Sequence, residues 1–436
     1  MISESPRRAF VWAWLPGASA PVPAGVLEDL GGIHTFAYAR TYRERSRDAA
    51  PALWAPELPV GQGRQQPLDG LSVAGVLRDA GPDSWGQRVV MRRLLGHDVR
   101  DRDPVDLDLI TYLLESGSDR AGALDFQQSN DHYVPRVHAA PLELLLEAAD
   151  VVVSGAELPE PLAQALAAGA SIGGARPKAT LADGDRSLIA KFSALADTYP
   201  VMRAEAVAMG LARRVGIDAA PTELVQVGGR DVLLVDRFDR GPDGVRHGFV
   251  SALTILQLDE VSFRYASYVD LADRLREYAS DRSAALRELF DRLVLNILVG
   301  NTDDHARNHA AFVGANGTVR LTPAYDVCPQ PRAGQVATQA MAFAPPDPSG
   351  GTPAGTEQAK RSQLAACLAA ADVFDLTTAA ATGIVDHQVQ TIVEQWHDAA
   401  DEAHLTAAQR RELWGRQICN PYAFEGHSTA PAHPAA

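Results

Sequence analysis

Cysteine is scarce: Cys328, Cys367 and Cys419 are the three in 436 residues, widely spaced and never as C-x-x-C. An odd, scattered set argues against a disulfide framework or a zinc knuckle and fits a reducing, cytoplasmic compartment. No apolar run approaches the ~20 residues that span a bilayer. Positive charge is also short, with 40 Lys+Arg against 55 Asp+Glu and a net charge of −15. So acidic a body does not coat nucleic acid unaided, because that needs a basic footprint. It does suit a basic partner. Missing too are the G-x-x-x-x-G-K-[ST] loop, the G-x-G-x-x-G fingerprint and the G-x-S-x-G elbow, and no internal repeat is evident. What is present is ordinary for a globular chain, 46% hydrophobic and 22% charged, which rules out wholesale disorder and a fibrous repeat. The length predicts two or three domains.

Near the start, Ser5-Pro6-Arg7-Arg8-Ala9-Phe10 has the look of a twin-arginine export signal. Glu4 places an acid in the leader and Pro16 cuts the apolar stretch short, so a first β-strand with Phe10, Trp12 and Trp14 on one face is the expectation. Asp83-Ser84-Trp85-Gly86 reads as a helix cap followed by a packed aromatic. Strands over 179–182 and 187–192 flank the turn Asp183-Gly184-Asp185, and Lys191 closes the second. A helix over 205–215 stops at Gly216. Strands over 223–227 and 232–235 lead to Asp236-Arg237-Phe238-Asp239-Arg240, a hinge. Apolar residues from Leu286 to Leu298 recur at three and four positions and predict a buried helix over 283–299, ending at Gly300-Asn301. Asn316-Gly317 marks a second hairpin, and the Pro/Gly-rich 343–355 reads as a loop.

The chemistry concentrates in Asn301-Thr302-Asp303-Asp304-His305-Ala306-Arg307-Asn308 and in Tyr325-Asp326 beyond the hairpin. An Asp, an Asn five residues on, and an Asp after a hairpin is the order used in phosphoryl transfer. The first Asp orients the attacking hydroxyl and accepts its proton, while the Asn oxygen and the second Asp hold magnesium. A capping turn rich in Asp and Asn is the bland alternative. A transferred phosphate also needs positive cover. Gly173-Gly174 allows backbone N–H groups close to phosphate oxygens, and Lys178 and Lys191 supply charge. Glu205 on the next helix is placed to pair with Lys191. Each piece alone is usually structural; their joint order carries the reading.

A rival reading makes Asp303, Asp304, His305 and His309 a zinc or manganese site for hydrolysis. It leaves Lys191 and the glycine loop without a role. His305 serves equally as a loop-packing residue or as a phosphate contact. Cys328, two residues past Asp326, reads as a small packing residue rather than a nucleophile.

Taken together, Asp79 to Gly86, Asp119-Arg120-Ala121-Gly122-Ala123-Leu124, Ser171 to Lys178, Val235 to Arg240, Asn301 to Asn308 and Pro323 to Asp326 resemble the HipA-type serine/threonine kinases, toxins of bacterial toxin–antitoxin pairs. The resemblance covers nearly the whole chain. It implies an α+β, protein-kinase-like two-lobed fold with an extra N-terminal α/β subdomain and a mostly helical C-terminal lobe. The matching division is 1–136 for the N-terminal subdomain, 137–240 for the ATP-binding subdomain, 241–420 for the helical lobe with the catalytic and metal loops, and 421–436 for a disordered tail.

By the same resemblance Asp303 is the catalytic base, Asn308 and Asp326 hold Mg2+, and Lys191 contacts the ATP phosphates. Asp236 and Phe238 lie beside adenine. Ser171 matches the serine that relatives autophosphorylate, which ejects the phosphate loop and switches the kinase off; a dianion among phosphate-binding glycines would repel ATP. The hinge acid is Asp236 where a well-studied member has Glu, and Arg307 stands where Lys is common. The implied substrate is a protein such as an aminoacyl-tRNA synthetase. The implied partner is a small helix-turn-helix antitoxin (HipB-like) that binds operator DNA. The alternative is a catalytically silent relative acting as an antitoxin-bound co-repressor.

Overall fold

The computed structural model describes residues 6–95, 107–136, 140–156, 158–169, 176–194, 197, 199–314, 316–344 and 359–434. Ser171, Gly173 and Gly174 lie outside them, as does most of the 343–355 loop. The chain divides into two compact units: Met1–Ala196 with Val225–Val250 and Phe312–Gly317, and Asp197–Leu224 with Ser251–Ala311 and Thr318–Ala436.

The first unit opens with β1 (Arg8–Trp14), β2 (Pro21–Asp29) and β3 (His34–Tyr38), followed by α1 (Ser84–Leu95), α2 (Leu109–Glu115) and β4 (Leu124–Gln127). The strands form an antiparallel sheet ordered β3-β2-β1-β4, so β1, which carries the apolar stretch after the paired arginines, is a central strand. Trp12 and Trp14 share a face as alternation requires, and both rings meet Tyr133, at 5.4 and 5.5 Å. A second antiparallel sheet, ordered β5-β6-β8-β7, comprises β5 (Lys178–Asp183), β6 (Arg186–Phe192), β7 (Thr222–Val227) and β8 (Arg230–Asp236). The β5–β6 turn is the two-residue Gly184-Asp185 between the paired Asp183 and Arg186, with Gly184 at a φ of 58°. That geometry is what a tight hairpin asks of its central residues. One face of this sheet, with Ala179, Leu188, Ala190 and Phe192, packs with Trp85 and Val89 of α1 and with α3 (Leu142–Ser154) and α4 (Glu160–Gly169).

The second unit is mainly helical. It contains α5 (Val201–Arg214), α6 (Tyr268–Tyr278), α7 (Arg282–Val299), α8 (Leu364–Ala369), α9 (Thr378–Glu402) and α10 (Ala407–Leu413). The periodicity over Leu286–Leu298 forms α7, whose C-terminal half is buried on every side. Asp281 caps its start through the Ala284 N–H at 3.0 Å, and Gly300 ends it in the left-handed region at φ 70°. Beyond it come β9 (Ala310–Val313), whose last two residues belong to the first unit, and β10 (Val319–Leu321). Past residue 421 the composition suggests a disordered tail, which the structure corrects. A short helix α11 (Pro421–Phe424), capped by Asn420, buries Tyr422, Ala423 and Phe424. Three apolar side chains outweigh the Pro/Ala/Ser bias there.

Candidate functional site

In the first unit the two lysines singled out from sequence are direct cross-strand partners. Lys178 on β5 pairs in register with Lys191 on β6. With period-two alternation, both lie on the face opposite Ala179 and Ala190, away from the apolar core. Both are largely buried. Like charges placed opposite each other on a sheet are unfavourable unless anions lie close. One such anion was not foreseen. Asp83 caps α1 through the Gly86 N–H at 2.9 Å, and its second oxygen lies 3.8 Å from Lys178 Nζ. Trp85 is completely buried and donates its indole N–H to the Lys178 carbonyl at 2.9 Å. The Asp-Ser-Trp-Gly motif therefore starts a helix and also fixes the first lysine. A local cap is readable in sequence; a contact across some ninety residues carries no sequence signal.

The segment Asp236–Arg240 leaves β8 through a buried charge cluster. Arg237 donates to Asp119 Oδ1 at 2.7 Å, to Asp239 Oδ1 and Oδ2 at 3.0 and 2.8 Å, and to the Arg120 carbonyl at 2.7 Å. Arg240 reaches Asp119 and Asp239, each at 2.8 Å. Asp239 also accepts the Gly122 N–H at 2.8 Å. Burial pushes the Asp119 and Asp239 carboxyls up, but Arg237 and Arg240 outweigh it and hold both below the usual carboxylate range. Two motifs that looked separate in sequence, Asp119-Arg120-Ala121-Gly122 and Asp236–Arg240, are thus one cluster. It sets the backbone on either side of Phe238, whose ring meets Phe249 and Phe312 edge-on. Asp236 itself is half exposed and paired with Arg186 at 2.7 Å.

In the second unit the loop after α7 places Asp303 outward and Asp304 inward. Asn301 anchors the loop, its side chain donating to Asn296 Oδ1 at 2.9 Å. Asn308 donates its side-chain N–H to the Asp303 carbonyl at 3.1 Å. Asp326 follows Ala324, whose backbone is pinned by exchange with Asp218 and Ala220 at 2.7 and 2.9 Å. Asp326 adopts φ 60°, a left-handed conformation that costs a non-glycine residue about 1 kcal/mol. Tyr325 donates to the Arg307 carbonyl at 2.7 Å and so ties the two loops together. Although Asp303 is exposed, partial loss of solvent raises its carboxyl above the usual range, His305 opposes this, and the nearby Asp326 carboxylate adds to it. The base candidate and the second acid are therefore electrostatic neighbours.

His305 packs its ring edge-on to Phe263 at 6.4 Å, and Arg307 pairs with Glu260. Cys328 is buried, as a packing residue should be. The hydrolytic metal reading is overturned. Among the described residues no three His, Cys, Asp or Glu side chains gather to hold an ion. Asp304 instead accepts from Tyr268 and faces His309 Nε2 at 2.9 Å. Glu205 is buried on α5 of the second unit. No helix among the described residues is long and apolar enough to cross a membrane.

Comparison with known proteins follows the same lines. The fold is similar to the HipA chain in the Shewanella oneidensis MR-1 complex of HipA, HipB and operator DNA. The TM-score is 0.61 at 18% identity, covering 93% of this chain and 96% of that one. Sequence relatives include "Putative kinase Y4mE" of Sinorhizobium fredii, 31% identical over 36% of this chain and 41% of that protein. A "Putative kinase" of Haemophilus influenzae is 27% identical over 30% of this chain and 42% of its own length. The chain thus spans about two fifths of the length of these curated relatives. A family model described as HipA-like C-terminal domain matches residues 170–403, which include both lysines, Asp303, Asn308 and Asp326, and this is more than half of the sequence. By that match the chain belongs to the HipA-like C-terminal domain family.

Proposed function

We propose that this protein is a Mg-ATP-dependent serine/threonine protein kinase and the cytoplasmic, growth-arresting toxin of a toxin–antitoxin pair. The observation that carries the reading is the second-unit loop pair. Asp303 lies outward on a loop pinned at both ends, Asn308 is bonded back to it, and Asp326 is close enough to raise its pKa. In this reading Asp303 orients the acceptor hydroxyl and takes its proton, and a raised carboxyl is a stronger base for that purpose. Asn308 and Asp326 would hold magnesium. Their donors are all oxygen, and the mutual repulsion of Asp326 and Asp303 is what a divalent cation relieves. Two protein oxygens are a sparse set, which is the way magnesium binds when phosphate oxygens complete its shell. The ion would neutralise charge developing on the transferred phosphoryl group.

Lys191 and Lys178, with Gly173 and Gly174, would line the ATP phosphates. Glu205 is the proposed partner of Lys191, and His305 a further phosphate contact. Asp236 and Phe238 would flank adenine. Ser171 is the proposed site of autophosphorylation. The ATP-binding subdomain is assigned to 137–240 and the catalytic lobe to 241–420. The partner is a HipB-like helix-turn-helix antitoxin, with operator DNA reached through it; the Shewanella complex supports the class of partner. The protein substrate is a translation component such as an aminoacyl-tRNA synthetase.

The test is incubation of the protein with ATP and magnesium beside Asp303→Asn, with phosphate mapped by mass spectrometry. Asp303 is exposed and the change nearly isosteric, so the variant keeps its fold. Phosphate on Ser171 in the unaltered protein alone is the expected result. ATP binding without any phosphate transfer would leave the co-repressor as the better account.

A further inference from the structure

Asp304, next to the proposed base, has no part in the chemistry described above, yet among the described residues it is one of the most buried carboxylates. A carboxylate so placed is costly unless polar partners lie close to it. Here Tyr268 on α6 donates its hydroxyl to Oδ2, and His309 Nε2 makes a close contact with Oδ1 at 2.9 Å that lacks hydrogen-bond geometry. The contact continues from Tyr268. Asn296 of α7 donates to the Tyr268 oxygen at 3.4 Å and accepts from Asn301 at 2.9 Å. The series His309–Asp304–Tyr268–Asn296–Asn301 therefore starts at one end of the loop and returns to the other. Asp303 and Asn308 lie between those ends. Two helices, α6 and α7, carry its middle.

We infer that Tyr268, Asp304 and His309 form a buried positioning triad that fixes the Asn301–Asn308 loop with Asp303 turned outward. The His305 N–H bonds back to the Asp303 carbonyl at 3.0 Å, a tight turn centred on the buried Asp304 with Asp303 exposed, so holding Asp304 inward holds the turn that presents Asp303. A group placed about 1 Å off its productive position can lose up to a hundredfold in rate. The rigid supports matter for the same reason: a reacting group is held no better than the side chains behind it. The inference rests on the kinase reading for its consequence and on the contacts above for its geometry.

Tyr268→Phe is the informative change. It keeps the ring that packs on His309 at 5.5 Å and Phe374 at 6.4 Å and removes only the hydroxyl. Autophosphorylation in Mg-ATP should fall about ten- to a hundredfold in kcat, with KM for ATP within about twofold of the unaltered protein. Amide exchange over 301–309 should quicken by about tenfold or more while α7 stays protected. Asp304→Asn, which keeps an acceptor for the tyrosine, should retain more activity than Asp304→Ala. The double variant Tyr268→Phe/Asp304→Asn should be no slower than the slower single, since both act on one network. Unchanged kcat in Tyr268→Phe would overturn the triad, and so would faster exchange spread evenly along α6 and α7. Absence of phosphate transfer in the unaltered protein would sink the kinase reading alone. The exchange experiment still decides the triad, because an unaltered loop in Tyr268→Phe would refute it.

Discussion

Two ion pairs at the exit of β8 lie a few residues apart and should differ several-fold in their contribution to stability. Arg237 and Asp239 have side chains only 1% and 6% exposed, whereas Arg186 and Asp236 are 44% and 32% exposed. In Asp239→Ala, Arg237 loses two hydrogen bonds, Arg240 loses one, and the Gly122 N–H loses its acceptor. Asp119 remains to serve both guanidinium groups, but one carboxylate cannot neutralise two buried cations. Removing one partner from a buried charge cluster costs about 3–5 kcal/mol. Arg186→Ala breaks a solvated pair and should cost about 0.2–1 kcal/mol. Urea unfolding of both variants, with amide exchange of the 230–240 segment, reads the two values. Salt gives a second discriminator, because 1 M ionic strength should erase the Arg186 effect and leave most of the Asp239 effect. If Asp239→Ala lost less than about 1 kcal/mol, or no more than Arg186→Ala, the argument from burial would be wrong.

Gly300→Ala combines a left-handed φ of 70° with a Cβ that would lie 2.7 Å from the Gln417 carbonyl oxygen. Those two effects together should lower stability by about 2 kcal/mol or more, measured by thermal melting. Tyr325→Phe removes the bond that ties Asp326's segment to the Arg307 carbonyl. It should cost about 1 kcal/mol and reduce phosphate transfer more than ATP binding, as single-turnover kinetics and a binding titration would separate. Glu57 is buried and accepts the Gly75 and Val76 N–H groups at 2.9 and 3.0 Å, and burial pushes its carboxyl up to about 7. The folded protein therefore holds this proton more tightly than the unfolded chain. Stability should fall as pH rises from about 4.5 towards 7, by up to about 3 kcal/mol. Glu57→Gln should flatten that part of the stability–pH curve.

Local patterns made much of the fold readable. The three-and-four spacing over Leu286–Leu298 is α7, and Gly300 stops it because a left-handed C-cap suits glycine. Asp183-Gly184-Asp185 is the turn between β5 and β6. Helix α5 was legible in its middle but begins at Val201, earlier than the 205 expected, with Val201 and Met202 already buried. Capping there is done by Pro200 without a side-chain bond, so the usual start signal is missing. The stretch 421–424 was misjudged because composition counts Pro, Ala and Ser but not the burial of Tyr422 and Phe424.

Local patterns were enough to nominate candidate residues and their order. Asp303, Asn308 and Asp326 stood out as candidates because residue types, a five-residue spacing and a hairpin are all local in the chain. So did the two lysines, although the strand expected over 179–182 begins one residue earlier, at Lys178. Tertiary structure alone decided which charges neutralise which. Asp83 reaching Lys178, Asp119 meeting Arg237 and Arg240, and Tyr268 holding Asp304 all join positions tens to more than a hundred residues apart. The physical reason is that a buried charge is tolerated only where another element brings its partner. That pairing depends on packing, which no window of sequence contains.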